Sequence, residues 1–196
     1  MFSKEHTGHD YYHIKRVVDL TARLMPSDDP EVFKALLIAY LHDVFDDKVN
    51  PSSNVSEDLK MLLSKWNINL GDIEKDVIDG VQEIGYKGGF GKRDKSYAAT
   101  FVSDADLLDA MGAVGIARTF YYAGSKGQHF HDPNLKFEMP DSIESYRKLN
   151  RNPIDHFNEK LFLLKDWIVT EQGKIEAKKR HNVLVNFYAN FIEEVK

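Results

Sequence analysis

The chain has 196 residues, 42% of them hydrophobic, and a formal net charge of −5, which is typical of a globular protein with one substantial core. No apolar run approaches the roughly 20 residues that cross a bilayer, and the first residues do not form the apolar segment of a secretory signal. The acidic charge argues against nucleic-acid binding through an overall basic field. With no cysteine, the chain has neither disulfides nor a thiolate metal site. We therefore expect a cytoplasmic protein whose partners include no membrane and no nucleic-acid polymer.

Apolar residues recur at helical spacing in the first half of the chain and predict four helices. The first covers about residues 11–26. The second begins near Pro30, because proline is favourable in a first helical turn. The third begins at Ser56, where a serine followed by two acids suits the positive end of a helix. The fourth covers about residues 73–84.

A glycine-rich loop at residues 85–95 interrupts the helical pattern. Beyond it we predict one long helix over about residues 96–122 and a second long loop at 124–140. A short helix from Ser142, another over 153–169 and a last one over 174–195 complete the chain. Strict alternation of polar and apolar residues never persists, so we predict no strand and an all-α fold.

A histidine and an aspartate, His42 and Asp43, directly follow the apolar run at residues 35–41, and further acids come within the next turn. Carboxylates near a core repel one another and lose their hydration, so they need a cation. A second such pair, His9 and Asp10, stands at the start of the first helix, where Asp10 suits an N-cap. Because only His42 and Asp43 follow a long apolar run, we select them as the central pair.

A further carboxylate comes from Asp104 or Asp106. At about 100° per residue, these two side chains point to nearly opposite sides of a helix. Asp106 shares its side with Val102 and Ile116, on a mostly apolar face, and a buried carboxylate needs a partner. We therefore predict that Asp106 is a metal ligand and that Asp104 lies on the surface. His13 stands on the apolar face of the first helix, where its position alone favours a hydrogen-bonded core histidine.

Three motifs follow one another along the chain: His13 with Arg16-Val17, then Leu41-His42-Asp43-Val44, then Ala105-Asp106-Leu107-Leu108. Together they resemble the HD-domain superfamily of metal-dependent phosphohydrolases, and the likeness extends over most of the chain. The resemblance implies one all-α, HD-type helical bundle over residues 1–196. Its metal-binding core would cover about residues 8–125, with the helices of residues 140–196 packed on it.

The resemblance also implies the full set of metal ligands, which are His13, His42, Asp43 and Asp106. Two imidazoles and two carboxylates leave open positions for water on an octahedral ion. Such a set suits Mn²⁺, Mg²⁺, Fe²⁺, Co²⁺ or Ni²⁺. The sequence contains no HExxH motif of the zinc proteases and no cysteine for structural zinc.

Asp46 and Asp47 resemble the acidic pair that follows the His-Asp of nucleotide-hydrolysing members, where it orients or deprotonates the attacking water. We predict this catalytic role for them; the alternative is that they are acids solvated at a helix end. The candidate substrate-binding residues are Arg16, Lys48, Lys87 and Asp109. Arg16 has an alternative role, which is to hold a carboxylate that supports a metal ligand.

These features predict a metal-dependent phosphohydrolase for nucleotides or other small phosphate esters. Hydrolysis of a nucleoside triphosphate to the monophosphate and pyrophosphate is the first reaction to test. One alternative is a phosphomonoesterase or phosphodiesterase that uses the same metal site. The other is a noncatalytic module that senses or binds a nucleotide. A homodimer is compatible with a small all-α domain.

Overall fold

The structure, a computed structural model, describes residues 10–45, 54–86, 89, 94–148 and 151–196. These residues are largely helical and include no strand, which confirms the all-α prediction. The α-helices in chain order are α1 (Tyr11–Leu24), α2 (Val32–Leu41), α3 (Val55–Lys65), α4 (Glu74–Glu83), α5 (Tyr97–Asp109), α6 (Gly112–Ser125), α7 (Ile143–Lys148) and α8 (Glu171–Glu194). None of the helices described is both long enough and apolar enough to cross a membrane.

Helix α1 begins at Tyr11 because Asp10 caps it. The backbone N–H of His13 donates a hydrogen bond of 2.8 Å to the Asp10 carboxylate, as an N-cap requires. The buried side chains of α1 follow helical spacing and form one stripe that faces the core. His13 and Val17 on this stripe are fully buried. The cap and the stripe together direct His13 inward from the first turn.

Helices α1, α2 and α5 pack against one another in every pairing and form the centre of the domain. The predicted ligands all come from these three helices or their ends. His13 lies in the first turn of α1, His42 is the residue that ends α2, and Asp106 lies near the end of α5. Ala35 and Ile38 on α2 are completely buried between the other helices. Close packing of these helices therefore brings the three sequence motifs together.

The prediction of one helix over residues 96–122 is wrong, because the chain forms α5 and α6 with a sharp break between them. Met111 between the two helices is extended, with φ of −111° and ψ of 166°, and Gly112, the first residue of α6, has a left-handed φ of +68°, which glycine tolerates. A Cβ atom at this position would lie 3.2 Å from the Cβ and Cγ atoms of Arg180. The break lets α6 turn back toward the end of α5.

The prediction of a regular helix over residues 153–169 is also wrong. The chain there forms a 3₁₀ turn at Pro153–Asp155, a π-helical turn at Phe157–Leu161 and a second 3₁₀ turn at Leu164–Trp167. Its buried apolar residues keep a helix-like spacing, which is why the sequence pattern indicated one helix. Helix α8 begins at Glu171, earlier than residue 174, because the Thr170 side chain caps it by accepting from the backbone N–H of Gly173.

Candidate metal centre

His13, His42 and Asp106 converge on one point, and their potential ligand atoms all lie within 4.8 Å of one another. Oδ1 of Asp106 lies 3.6 Å from Nε2 of His13 and 4.0 Å from Nε2 of His42. Atoms that surround one divalent ion at about 2.1 Å lie roughly 3–4 Å apart. Both imidazoles are buried, whereas the Asp106 side chain is 23% exposed. The opening toward solvent is therefore on the Asp106 side.

Asp43, the remaining predicted ligand, contacts both imidazoles. Its Oδ2 lies 3.2 Å from Nε2 of His13, and its Oδ1 lies 3.4 Å from Nε2 of His42. Asp43 is buried, and it directly follows His42, the C-cap residue of α2. The structure thus brings together all the side chains that the sequence motifs nominate as ligands.

The hydrogen bonds of His42 test whether these residues fit a cation. Nδ1–H of His42 donates to the backbone carbonyl of Ala39 at 2.8 Å, so Nε2 is the ring nitrogen that faces the other candidate ligands. Within the part of the chain that the structure describes, Nε2 of His42 is buried and has no hydrogen-bond partner. A buried polar atom without a partner costs free energy. A divalent cation among these side chains would satisfy it, so the residues present fit such an ion.

Asp109 holds His13 from the other side of the imidazole ring. Nδ1–H of His13 donates to Oδ2 of Asp109 at 2.7 Å. Arg16 donates to both oxygens of the same carboxylate, at 2.7 Å from Nε and 3.1 Å from Nη2. Arg118 donates from Nη1 to Oδ2 at 2.7 Å. A carboxylate that binds Nδ1–H fixes the tautomer in which Nε2 of His13 faces the candidate metal position.

These contacts bear on two residues that we predicted to bind substrate. Asp109 is almost completely buried, and its carboxylate is the acceptor for His13, Arg16 and Arg118. Arg16 has the alternative contact considered for it in the sequence, because it binds the Asp109 carboxylate that supports the candidate ligand His13. Its side chain is nevertheless 38% exposed, so part of the guanidinium remains open to solvent.

The same contacts shift the pKa values of both partners. Burial by itself would raise the pKa of Asp109, but the hydrogen bonds from His13 and Arg16 and the charge of Arg118 outweigh it and hold that pKa well below its usual range. Burial would lower the pKa of His13, but the hydrogen bonds to Asp109 and Asp43 outweigh it and raise that pKa. A proton and a metal ion therefore compete for Nε2 of His13.

Asp104 is not on the surface, and that prediction is wrong. It is only 1% exposed and accepts hydrogen bonds from the backbone N–H groups of Val169 at 3.1 Å and Thr170 at 2.7 Å. The Thr170 hydroxyl adds a third, at 2.7 Å. The prediction assumed that α5 buries one face, but α5 also packs against α8 and the turn at Leu164–Trp167. Burial raises the pKa of Asp104 despite these hydrogen bonds.

Helix α8 also holds the end of α5. Nη1 of Arg180 donates to the backbone carbonyl of Leu108 at 2.7 Å, which satisfies a carbonyl of the last helical turn. Asp106 therefore lies between two attachment points of α5, at Asp104 and at Leu108. Sequence reasoning missed Asp104, Arg118 and Arg180, because no local motif around them indicates that these partners meet.

Some predicted site residues lie outside the described residues. They are Asp46, Asp47, Lys48 and Lys87. Their roles, catalytic for the two acids and substrate-binding for the two lysines, stay predictions.

An all-α domain in which two histidines and two aspartates converge has the architecture of the HD class of hydrolases. Residues 10–111 match the HD domain family, and the chain belongs to this family. The matched residues include every candidate ligand and Asp109, whereas Arg118 and Arg180 lie beyond them.

Several proteins resemble the chain over nearly its whole length. YpgQ of Bacillus subtilis is 30% identical over 198 residues, which cover 100% of this chain and 88% of YpgQ. The structure of YpgQ in complex with ADP superposes with a TM-score of 0.74 at 27% identity, covering 99% of this chain and 93% of the other.

Two further solved structures are similar. A Lactobacillus plantarum protein matches with a TM-score of 0.85 at 32% identity, covering 98% of this chain and 90% of the other. An HD-superfamily hydrolase from Bacillus thuringiensis matches with a TM-score of 0.69 at 32% identity, covering 95% and 86% of the two chains.

Proposed function

We propose that the protein is a metal-dependent phosphohydrolase that acts on nucleotides or other small phosphate esters. The observation that carries this proposal is the convergence of His13, His42 and Asp106 within 4.8 Å around a buried imidazole nitrogen that has no hydrogen-bond partner among the described residues. Asp43 contacts both imidazoles and serves as the fourth ligand.

This set of nitrogen and oxygen ligands suits Mn²⁺, Mg²⁺, Fe²⁺, Co²⁺ or Ni²⁺. Such an ion lowers the pKa of a bound water and polarises a phosphoryl oxygen. The chain's own residues prepare the site. Asp109 fixes the tautomer and orientation of His13, and the carbonyl of Ala39 does the same for His42.

The remaining roles follow the predictions from the sequence. Asp46 and Asp47 orient or deprotonate the attacking water. Lys48 and Lys87 contact the substrate phosphates. In the first reaction to test, the water oxygen bonds to the α-phosphorus of a nucleoside triphosphate. The bond from that phosphorus to the bridging oxygen breaks, and the products are the monophosphate and pyrophosphate.

A nucleotide substrate is supported by the complex of YpgQ with ADP, since YpgQ resembles this chain over its whole length. The charges of the site also suit an anion. The candidate ligands Asp43 and Asp106 would balance a divalent ion, and two guanidinium groups lie next to the single carboxylate of Asp109.

A hydrolysis screen tests the proposal. The purified protein is assayed against nucleoside mono-, di- and triphosphates and against nitrophenyl phosphate esters, each with Mn²⁺, Mg²⁺, Fe²⁺, Co²⁺ and Ni²⁺ in turn. Asp106→Ala is the blank, and Asp28→Ala, which removes an exposed acid beyond the far end of α1, is the matched control. We expect Asp106→Ala to lose more than about 100-fold in turnover, because even residues that only support a ligand cost about 10–100-fold.

The products decide between the alternatives. Pyrophosphate release identifies the triphosphate reaction, and release of inorganic phosphate from monoesters identifies a phosphomonoesterase. Tight nucleotide binding without any product, under every metal, would overturn the hydrolase assignment and identify a nucleotide-sensing module.

A further inference from the structure

Arg118 on α6 is a cation that the sequence motifs do not assign and that lies beyond the residues matching the HD domain family. Its Nη1 donates to Oδ2 of Asp109 at 2.7 Å, and its side chain is only 18% exposed. A guanidinium carries five N–H donors. Among the described residues, this is the single hydrogen bond of the Arg118 side chain, so its other guanidinium donors are available to a ligand.

The charges around Asp109 do not balance at Arg118. The one carboxylate already accepts from Nε and Nη2 of Arg16 and from Nδ1 of His13. Oδ2, which Arg118 shares, is also the acceptor for His13 Nδ1–H and Arg16 Nη2. Arg16 also has a second carboxylate near it, that of Asp10, which caps α1. A mostly buried guanidinium that shares one oxygen with two other donors is stabilised by a second anion.

An anion bound to Arg118 would lie near the candidate metal position. Arg118 and His13 donate to the same oxygen atom, so the guanidinium lies within two hydrogen-bond lengths of the His13 ring. The other nitrogen of that ring lies 3.6 Å from Asp106. A di- or triphosphate extends over several ångströms, so one phosphoryl group can approach the ion while a neighbouring one meets the guanidinium.

We propose that Arg118, together with the exposed part of Arg16, binds a phosphoryl group of the substrate, and that Asp109 supports both guanidinium groups from behind. Arginine suits this task because its planar fork donates to two phosphate oxygens at once. The inference rests on the proposed function, since it assumes a phosphorylated substrate, and it specifies a nucleoside di- or triphosphate. Arg118 is then a substrate-binding residue as well as a support of Asp109.

Equilibrium binding tests this without turnover. Calorimetry measures the affinities of wild type and variants for Mn²⁺ alone, and then for ADP, inorganic phosphate and adenosine with Mn²⁺ present. The variants are Arg118→Gln and Arg118→Lys. Arg23→Gln removes an exposed arginine from the other end of α1 and is the matched control.

We expect Arg118→Gln to weaken ADP binding about 10- to 100-fold, the loss typical of a hydrogen bond to a charged group. Adenosine binding and Mn²⁺ affinity should change less than about threefold, and Arg118→Lys should fall between Gln and wild type because a lysine keeps the charge without the fork. Arg23→Gln should match wild type. If Arg118→Gln does not fold, the same comparison is made with Arg118→Lys.

Other outcomes overturn the inference. Unchanged ADP affinity in the Arg118 variants would do so. A loss of Mn²⁺ affinity as large as the loss of ADP affinity would also do so, because it would mean that Arg118 only supports Asp109. Wild type that binds neither ADP nor inorganic phosphate also overturns it. A protein that binds ADP through Arg118 yet hydrolyses nothing would uphold this inference and refute the proposed function.

Discussion

Arg118 and Asp109 lie only nine residues apart, yet they meet side chain to side chain at 2.7 Å. In one continuous helix nine residues would separate them by about 13 Å along the axis. The helical path is broken instead at the extended Met111 and at Gly112, whose φ is +68°, and α6 returns toward the end of α5. The contact connects the turn between α5 and α6 with the candidate metal centre, because Asp109 accepts hydrogen bonds from both Arg118 and His13.

Metal binding should stabilise the folded protein through the candidate ligands. Mn²⁺ at about 100 times its dissociation constant should add about 2.7 kcal/mol to the free energy of unfolding. We expect the melting temperature to rise with Mn²⁺ and to fall again with a chelator. His42→Ala should abolish the rise, and His129→Ala, which removes an exposed histidine, should keep it. An equal rise in both variants would place the ion elsewhere.

Asp109→Asn should weaken metal binding and destabilise the fold. A carboxylate can only accept hydrogen bonds and so fixes the His13 tautomer, whereas an amide can also donate and does not fix it. We therefore expect a loss of about 10–100-fold in Mn²⁺ affinity. Two guanidinium groups also lose their charged partner, at a cost of about 3 kcal/mol or more.

Asp19→Asn provides the comparison for Asp109→Asn. It breaks an exposed ion pair with Lys15 on the same helix that carries His13, and it should cost less than about 1 kcal/mol. Mn²⁺ titration and chemical denaturation measure both effects. Unchanged Mn²⁺ affinity in Asp109→Asn would show that Asp109 does not act through His13.

The hydroxyl group of Thr170 should make a measurable contribution to the stability of the folded protein. Its Oγ1 donates to Asp104 at 2.7 Å and accepts from the N–H of Gly173 at 3.2 Å, so it both serves the buried carboxylate and caps α8. Thr170→Val keeps the shape and loses both hydrogen bonds, with an expected loss of about 2 kcal/mol. Thr170→Ser keeps both and should lose far less. Equal losses in the two variants, measured by denaturation, would contradict the assignment of this stability to the hydroxyl group.

Glu159 should make the folded protein less stable as the pH rises toward neutrality. Burial raises the pKa of Glu159 from 4.5 to about 7, although Arg151 donates to it at 2.7 Å and His156 contacts it. Between these two pH values the folded state holds the proton more tightly than the unfolded state does. The free energy of unfolding therefore falls as the pH rises from about 4.5 to 7, by roughly 1–3 kcal/mol.

The comparison with Glu159→Gln isolates this effect from the other titrating groups. The difference in unfolding free energy between wild type and Glu159→Gln should decrease steadily across that pH range. A difference that stays constant would show that Glu159 keeps its ordinary pKa.

Much of the helical framework could be predicted because amphipathic spacing and caps are local properties. The start of α1 depends on Asp10, and the start of α8 on Thr170, although only the first was recognised in the sequence. The division of residues 96–122 into two helices could not be predicted. Gly112 is one glycine among several, and its close approach to Arg180 of α8 arises only when the helices pack.

Local sequence alone determined most of the helices and the three motifs that carry His13, His42, Asp43 and Asp106, because helix spacing and each motif are contained within short stretches of consecutive residues. Only the tertiary structure decided which side chains support them. Asp104 is buried because α8 covers a second face of α5, and Arg118 reaches Asp109 because the chain turns at Met111 and Gly112. Such partners come from segments that meet only after folding, so no pattern within any one segment predicts these contacts.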